Sequence, residues 1–168
     1  MADAPVTSHA ETSDRVRKVG VPPDARAVST LCRVDYEDAF LVDVGSVSER
    51  TAEQWARAVV EDAPATVRRT LRSGWSAIGL KLDQARSDRC VLGWEVRDSA
   101  PDFVLLGADS RIGMAGELLF MRRRDVLLFA TFVQYDNHIA RTVWAGVEPV
   151  HVPVVRHVLE QASRRYDP

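Results

Sequence analysis

The chain has 168 residues, which suits one domain with a real hydrophobic core, and its 22 Lys and Arg nearly balance its 24 Asp and Glu. The net charge of −2 provides no basic footprint, so we expect neither a nucleic acid nor an anionic membrane as a partner. Two widely separated cysteines, Cys32 and Cys90, argue against a disulfide framework and a structural zinc motif, and they favour a reducing compartment.

The amino-terminal segment is predicted to be an arm rather than part of the core. Residues 1–28 are rich in Ala, Ser, Thr and charge, a composition that buries too little apolar surface to offset chain entropy. We therefore predict a flexible arm over 1–28 and a single domain over 29–168. The arm lacks the apolar run of a secretory signal, and the longest apolar stretch, 126–133, is far too short to cross a bilayer. We expect a cytoplasmic protein without a membrane span.

The first half of the domain predicts one strand followed by two short helices. Between Arg33 and Val44 apolar residues alternate with polar ones, as in a half-buried strand, and Asp38 is the exception on the apolar side. Thr51 and Gln54 have the spacing of a capping box, and residues 52–63 follow helical periodicity. Pro64 suits the first turn of a second helix, whose apolar stripe includes Val67, Leu71, Trp75 and Ile78.

The second half predicts an antiparallel meander and a long terminal helix. Four segments rich in Val, Leu and Phe, at 90–97, 102–109, 115–122 and 125–136, are separated by turn residues. Asn137 suits the cap of the helix, in which apolar residues recur at steps of three or four: Val143, Val147, Val150, Val154, Val158 and Ala162. Pro149 and Pro153 each disfavour a continuous helix by about 3 kcal/mol, so we predict a kink or a restart.

The order of these elements resembles the helix-grip fold of the START and polyketide-cyclase-like (SRPBCC) superfamily. The segments VLLGADSRIGMAGELLF, LLFATFVQYDN and VWAGVEPVH are similar to a bacterial branch of that superfamily known as a domain of unknown function. The resemblance covers about residues 31–165. It implies an α+β domain in which a curved antiparallel sheet wraps a long kinked carboxy-terminal helix and leaves an elongated apolar cavity. In such folds the cavity holds lipids, sterols, polyketides or hormones, and it sometimes catalyses cyclisation or hydrolysis.

Seven residues are candidates for contact with a ligand in that cavity. Trp75 and Trp94 are expected in its wall, and Trp144 lies on the helix that should line it. His151 has two interpretations: it satisfies a carbonyl freed by the proline kink, which we favour, or it contacts a ligand and moves a proton. Three polar residues of the GADSRIGMAGE turn either orient a polar head group or, as we favour, decorate a hairpin: Asp109, Arg111 and Glu117.

Apolar residues stand at successive positions of the predicted strands, so both faces of the sheet need cover. A homodimer through the outer sheet face is one hypothesis, and cover by the amino-terminal arm is the other. No dinucleotide-binding glycine pattern, P-loop or metalloprotease motif occurs, so we expect no cofactor and no metal.

The sequence favours binding of a small apolar or amphipathic molecule between the sheet and the terminal helix. One alternative is an enzyme of cyclase, isomerase or hydrolase type, with His151 or the Asp109 and Glu117 pair as general acid or base. The other is a non-catalytic homo-oligomeric interaction module that uses the outer sheet face.

Overall fold

The structure is a computed structural model that describes residues 15–45, 49–84 and 87–166. Seven strands and four helices follow one another along these residues. In chain order they are β1 (Val16–Val19), α1 (Pro23–Arg26), β2 (Tyr36–Asp43), α2 (Ala52–Val60), α3 (Ala65–Ala77), β3 (Cys90–Val91), β4 (Trp94–Ser99), β5 (Phe103–Ala108), β6 (Met114–Arg123), β7 (Val126–Tyr135) and α4 (His138–Arg165).

The strands form one curved, open antiparallel sheet in the order β1-β2-β7-β6-β5-β4-β3, so the fold class is α+β. The strands from β3 to β7 pair with their neighbours in the chain, as the turn residues between the apolar segments predict. A two-residue connection joins β3 to β4 through Leu92 and Gly93, which both have positive φ. A Cβ on Gly93 would lie 2.9 Å from the carbonyl oxygen of Asp83, so this turn requires glycine.

The sheet begins earlier in the chain than the sequence predicts. Residues 1–14 lie outside the described residues, but Val16–Val19 and Pro23–Arg26, inside the predicted arm, form β1 and α1. The strand over 36–43 is consequently the second of the sheet, and α2 and α3 follow this second strand instead of the first. Sequence reasoning missed β1 because the composition of this segment is polar. Within the strand Val16 is buried and Val19 is half-buried, while Arg17 and Lys18 are exposed.

Both faces of the sheet are covered within the chain. The inner face carries the larger core and packs against α2 and α4. The outer face carries a second cluster, whose buried members include Leu105, Leu119, Leu128 and Phe132. Apolar residues of the segment 19–34 pack on that cluster. The arm therefore extends past its predicted boundary at residue 28 to residue 34, and in the described residues it covers the surface through which the sequence suggested a homodimer.

The terminal helix α4 runs without interruption from His138 to Arg165, through Pro149 and Pro153, so the predicted restart does not occur. Each proline removes one helical hydrogen bond, and the carbonyls deprived of a donor are those of Ala145 and Pro149. Both of these residues are exposed, so water can hydrate the carbonyls. Among the described residues no helix combines the length and apolarity that a membrane crossing requires.

The buried face of α4 follows the predicted stripe at both ends of the helix and departs from it in the middle. Val150 and Val154 are exposed, to 58% and 41%, while His151 and Val155 occupy the half-buried positions beside them. Trp144 and Val158 are buried seven residues before and after His151, so all three share one face. The prolines occupy the opposite, solvent-facing side, where a missing donor costs least.

Candidate functional site

A cavity of about 380 Å³ lies between α3, the inner face of the sheet and the middle of α4. Its volume falls in the range of small-molecule sites, which is about 300 to 1,000 Å³. Its wall is mostly apolar and includes Leu71, Trp75, Trp94, Met114, Leu118, Val133, Trp144 and Val147. The exposed Val150 and Val154 also border it, so its apolar lining extends to the surface of α4.

A buried polar group lies beside this apolar wall. His151 and Thr131 line the cavity, and Asp38, whose side chain is 1% exposed, lies behind His151. One oxygen of Asp38, Oδ2, accepts a hydrogen bond from the Tyr36 hydroxyl at 2.8 Å. The Nε2 atom of His151 lies 3.1 Å from the same oxygen, although it is not aligned as a hydrogen bond. Strand β2 and helix α4 therefore bring a carboxylate, a phenol and an imidazole together.

The environment separates the protonation states of Asp38 and Tyr36. Burial acts to raise the pKa of Asp38, but the contacts with His151 and Tyr36 outweigh it, and the pKa falls below its usual value. Burial, followed by the hydrogen bond to Asp38, raises the pKa of Tyr36 well above its usual value. Near neutral pH the site consequently contains an ionised carboxylate and a protonated phenol.

Aromatic rings surround the cavity in two groups. The Trp144 ring lies 4.8 Å from the Tyr36 ring and 5.1 Å from the His151 ring, between centroids. The second group joins Trp75 of α3 to Trp94 of β4, with centroids 5.3 Å apart and planes at 87°. Such edge-to-face contacts restrict the rings. The cavity therefore has walls of defined shape on both α3 and α4.

Several polar atoms of the site are buried and have no hydrogen-bond partner within the described chain. They are Asp38 Oδ1, Thr131 Oγ1, Trp94 Nε1 and Trp144 Nε1. Buried polar groups in proteins are nearly always hydrogen-bonded, to protein or to water, and an unmade bond costs free energy. Thr131 lies opposite Asp38 in the β2–β7 ladder, so its hydroxyl has the carboxylate as a neighbouring acceptor. The two indole N–H groups can donate to a guest once a small movement of their rings exposes them.

Four of the seven residues singled out in the sequence line this cavity: Trp75, Trp94, Trp144 and His151. The Nε2 atom of His151 lies beside Asp38 and has no hydrogen bond to a backbone carbonyl of the described chain. Trp94 is buried, as expected of a residue in the cavity wall, and its neighbour Glu95 on β4 is exposed.

The structure does not bring Asp109, Arg111 and Glu117 to the cavity. Asp109 and Arg111 are exposed, and Asp109 binds Arg97 at 2.9 Å. Glu117 is fully buried, but it lies between Gly116 and Leu118, which face the cavity, so its side chain points to the outer face.

On the outer face Glu117 attaches the arm to the sheet. It accepts hydrogen bonds from the Ser29 hydroxyl at 2.6 Å, the Thr30 amide at 3.2 Å and the Thr30 hydroxyl. The Arg97 guanidinium donates to it at 3.1 Å, across Gly107, where a Cβ would overlap the arginine. Glu117 is therefore part of the arm attachment and is neither part of an acid–base pair with Asp109 nor a cavity residue.

Sequence reasoning missed Asp38, Tyr36 and Thr131 as members of the site. A signal for Asp38 was present, because an acidic residue on the apolar parity of a strand must point toward the core. Thr131 lies directly opposite Asp38 in the β2–β7 ladder, and Tyr36 is two residues away on the same face. Pairing β2 with β7 correctly would have brought all three residues together.

The described residues contain no group of three or more His, Cys, Asp and Glu side chains that could hold a metal ion. No family model matches the chain, and no curated protein matches it either.

Proposed function

We propose that the chain is a helix-grip domain of the START and polyketide-cyclase-like type that binds a small apolar or amphipathic molecule under α4. The curved antiparallel sheet with one long terminal helix supports the architecture. The observation that carries the function is the cavity of about 380 Å³, mostly apolar and with unpaired polar atoms at its edge. Affinity would come from buried apolar area, and the polar atoms would orient the guest.

Two glycines offer a matched test of binding in the cavity. Gly74 of α3 borders the cavity, Gly146 of α4 does not, and an added Cβ at either meets nothing within 4 Å. Replacing either glycine by Leu should stabilise its helix by up to about 1 kcal/mol. We expect Gly74→Leu to fill part of the cavity. The affinity for an uncharged fluorescent probe, phenylnaphthylamine, should then fall at least about tenfold, because the probe loses contact area.

The control Gly146→Leu should leave the affinity for phenylnaphthylamine unchanged. Fluorescence titration of the three proteins, with thermal unfolding to confirm folding, measures both effects. Absence of probe binding to the wild-type protein would overturn the proposal. Equal binding to wild type and Gly74→Leu would place any site elsewhere.

A second candidate function is general acid–base catalysis in the same cavity, which the contact between His151 and Asp38 favours. A buried carboxylate beside an imidazole can fix the orientation of the ring, as general acid–base catalysis requires. Incubation of the protein with metabolite extracts, followed by mass spectrometry, would reveal a consumed compound. His151→Ala should then abolish the turnover without unfolding the protein, and full residual activity would reject this role.

A further inference from the structure

The cavity contains a polar arrangement that discriminates between ligands, and this inference rests on the proposed binding function. We propose that the site takes an uncharged ring molecule bearing a hydroxyl group and rejects the corresponding carboxylate, with Asp38 as the specificity-determining residue. The argument uses the charges around the cavity, the orientation of His151 and the unpaired donors.

The charges around the cavity are unfavourable to an anion. Among the described residues that line the cavity there is no Lys or Arg, and His151 is the ionisable one of this set. Directly behind His151 lies the buried carboxylate of Asp38. A carboxylate guest would therefore lose its hydration beside a like charge, and a positive charge on His151 would already be matched by Asp38. Fatty-acid-like anions are accordingly poor guests.

The orientation of His151 favours a guest that donates a hydrogen bond. At a distance of 3.1 Å between Asp38 Oδ2 and Nε2, a neutral imidazole is favoured with its proton on that nitrogen, because the carboxylate attracts the N–H dipole even without hydrogen-bond alignment. The other nitrogen, Nδ1, is then the acceptor. A hydroxyl group can donate to it, whereas an ether or an ionised carboxylate cannot.

The unpaired donors favour a guest that also accepts a hydrogen bond. The Nε1 atoms of Trp144 and Trp94 are buried without a partner in the described chain, and the Trp144 ring lies 5.1 Å from the His151 ring. When a guest displaces the Trp144 ring far enough to expose its Nε1, a hydroxyl oxygen can accept from that nitrogen while the hydroxyl proton goes to His151. The rings of Trp75, Trp94 and Trp144 offer flat apolar surface for the rest of the guest.

Three probes of the same ring system separate these requirements: β-naphthol, β-methoxynaphthalene and β-naphthoate. At neutral pH the first is an uncharged donor and acceptor, the second accepts without donating, and the third is an anion. Calorimetric titration of the wild-type protein should give naphthol about tenfold tighter binding than methoxynaphthalene. Naphthoate should bind at least about thirtyfold more weakly than naphthol.

Two variants assign the selectivity to residues. Asp38→Asn removes the charge and keeps the residues that line the cavity, so it should strengthen the binding of naphthoate relative to that of methoxynaphthalene at least about tenfold. The matched control is Asp43→Asn, because Asp43 lies on the same strand, is exposed and lies away from the cavity. His151→Phe keeps an aromatic ring and should remove the preference for naphthol over methoxynaphthalene.

The outcomes distinguish this inference from the proposed function. If none of the three probes binds, the proposed function fails. If the probes bind but naphthoate is as tight as naphthol, the cavity is a binding site and the inference is overturned. If Asp38→Asn does not fold, the wild-type series and His151→Phe decide: retained preference for naphthol in His151→Phe overturns the role of the imidazole.

Discussion

Glu117 provides the sharpest test of how the arm is held on the sheet. It is fully buried and accepts from Ser29, from two groups of Thr30 and from Arg97. Glu117→Leu removes every acceptor while keeping a similar volume. Removing one partner of a buried ion pair costs about 3 to 5 kcal/mol, because the remaining groups stay desolvated. We expect about 3 kcal/mol, the low end, because the Arg97 side chain is 20% exposed and retains its pair with Asp109.

Asp109→Asn is the matched control, because it alters the other carboxylate on the same arginine. The Asp109 side chain is 75% exposed, and exposed ion pairs contribute about 0 to 1 kcal/mol. Urea unfolding followed by tryptophan fluorescence measures the free energy of unfolding of both variants. Hydrogen exchange at the Thr30 amide should accelerate in Glu117→Leu alone. A loss below about 1 kcal/mol in Glu117→Leu, or a larger loss in Asp109→Asn, would refute the reasoning.

Three further predictions concern pH, the prolines and the thiols. The pKa of Asp38 is lowered on folding, so its contribution to stability is present above the unfolded pKa of about 3.9 and is lost as pH falls through the folded pKa. The urea midpoint of Asp38→Asn should therefore decline less below about pH 4 than the midpoint of the wild-type protein, and parallel acid profiles would contradict this. Pro153→Ala should raise the free energy of unfolding by about 1 to 2 kcal/mol, because the alanine amide can donate to the exposed Pro149 carbonyl. If urea unfolding shows that the variant is less stable than the wild-type protein, this account of α4 is rejected. Burial raises the pKa of the Cys90 thiol, whereas Cys32 is exposed. A thiol reagent at neutral pH should therefore modify Cys32 in the native protein and both cysteines in urea, and rapid labelling of Cys90 in the native protein would disprove its burial.

The cavity residues show what local patterns can predict. Sequence reasoning could select four of them, Trp75, Trp94, Trp144 and His151. Helical and strand periodicity assign each side chain to a face, and an apolar face packs against the core. The same periodicity does not separate the two faces of a sheet that is apolar on both. Glu117 was accordingly predicted to decorate a hairpin or to orient a head group, whereas strand parity places its buried side chain on the outer face.

The amino-acid sequence by itself determined most of the secondary structure, namely the strands of the meander and the long terminal helix. It also determined two helix starts, the capping box at Thr51 and the Asn137 cap. Composition concealed β1, because a short strand at the edge of a sheet needs few apolar residues. Only the tertiary structure decided that the arm covers the outer face and that Asp38 meets His151. Such contacts depend on the register between β2 and β7 and on the rotation of α4 over the sheet. The register and the rotation are set by packing between segments that are distant in the chain. Local periodicity carries no information on the free energy of that packing.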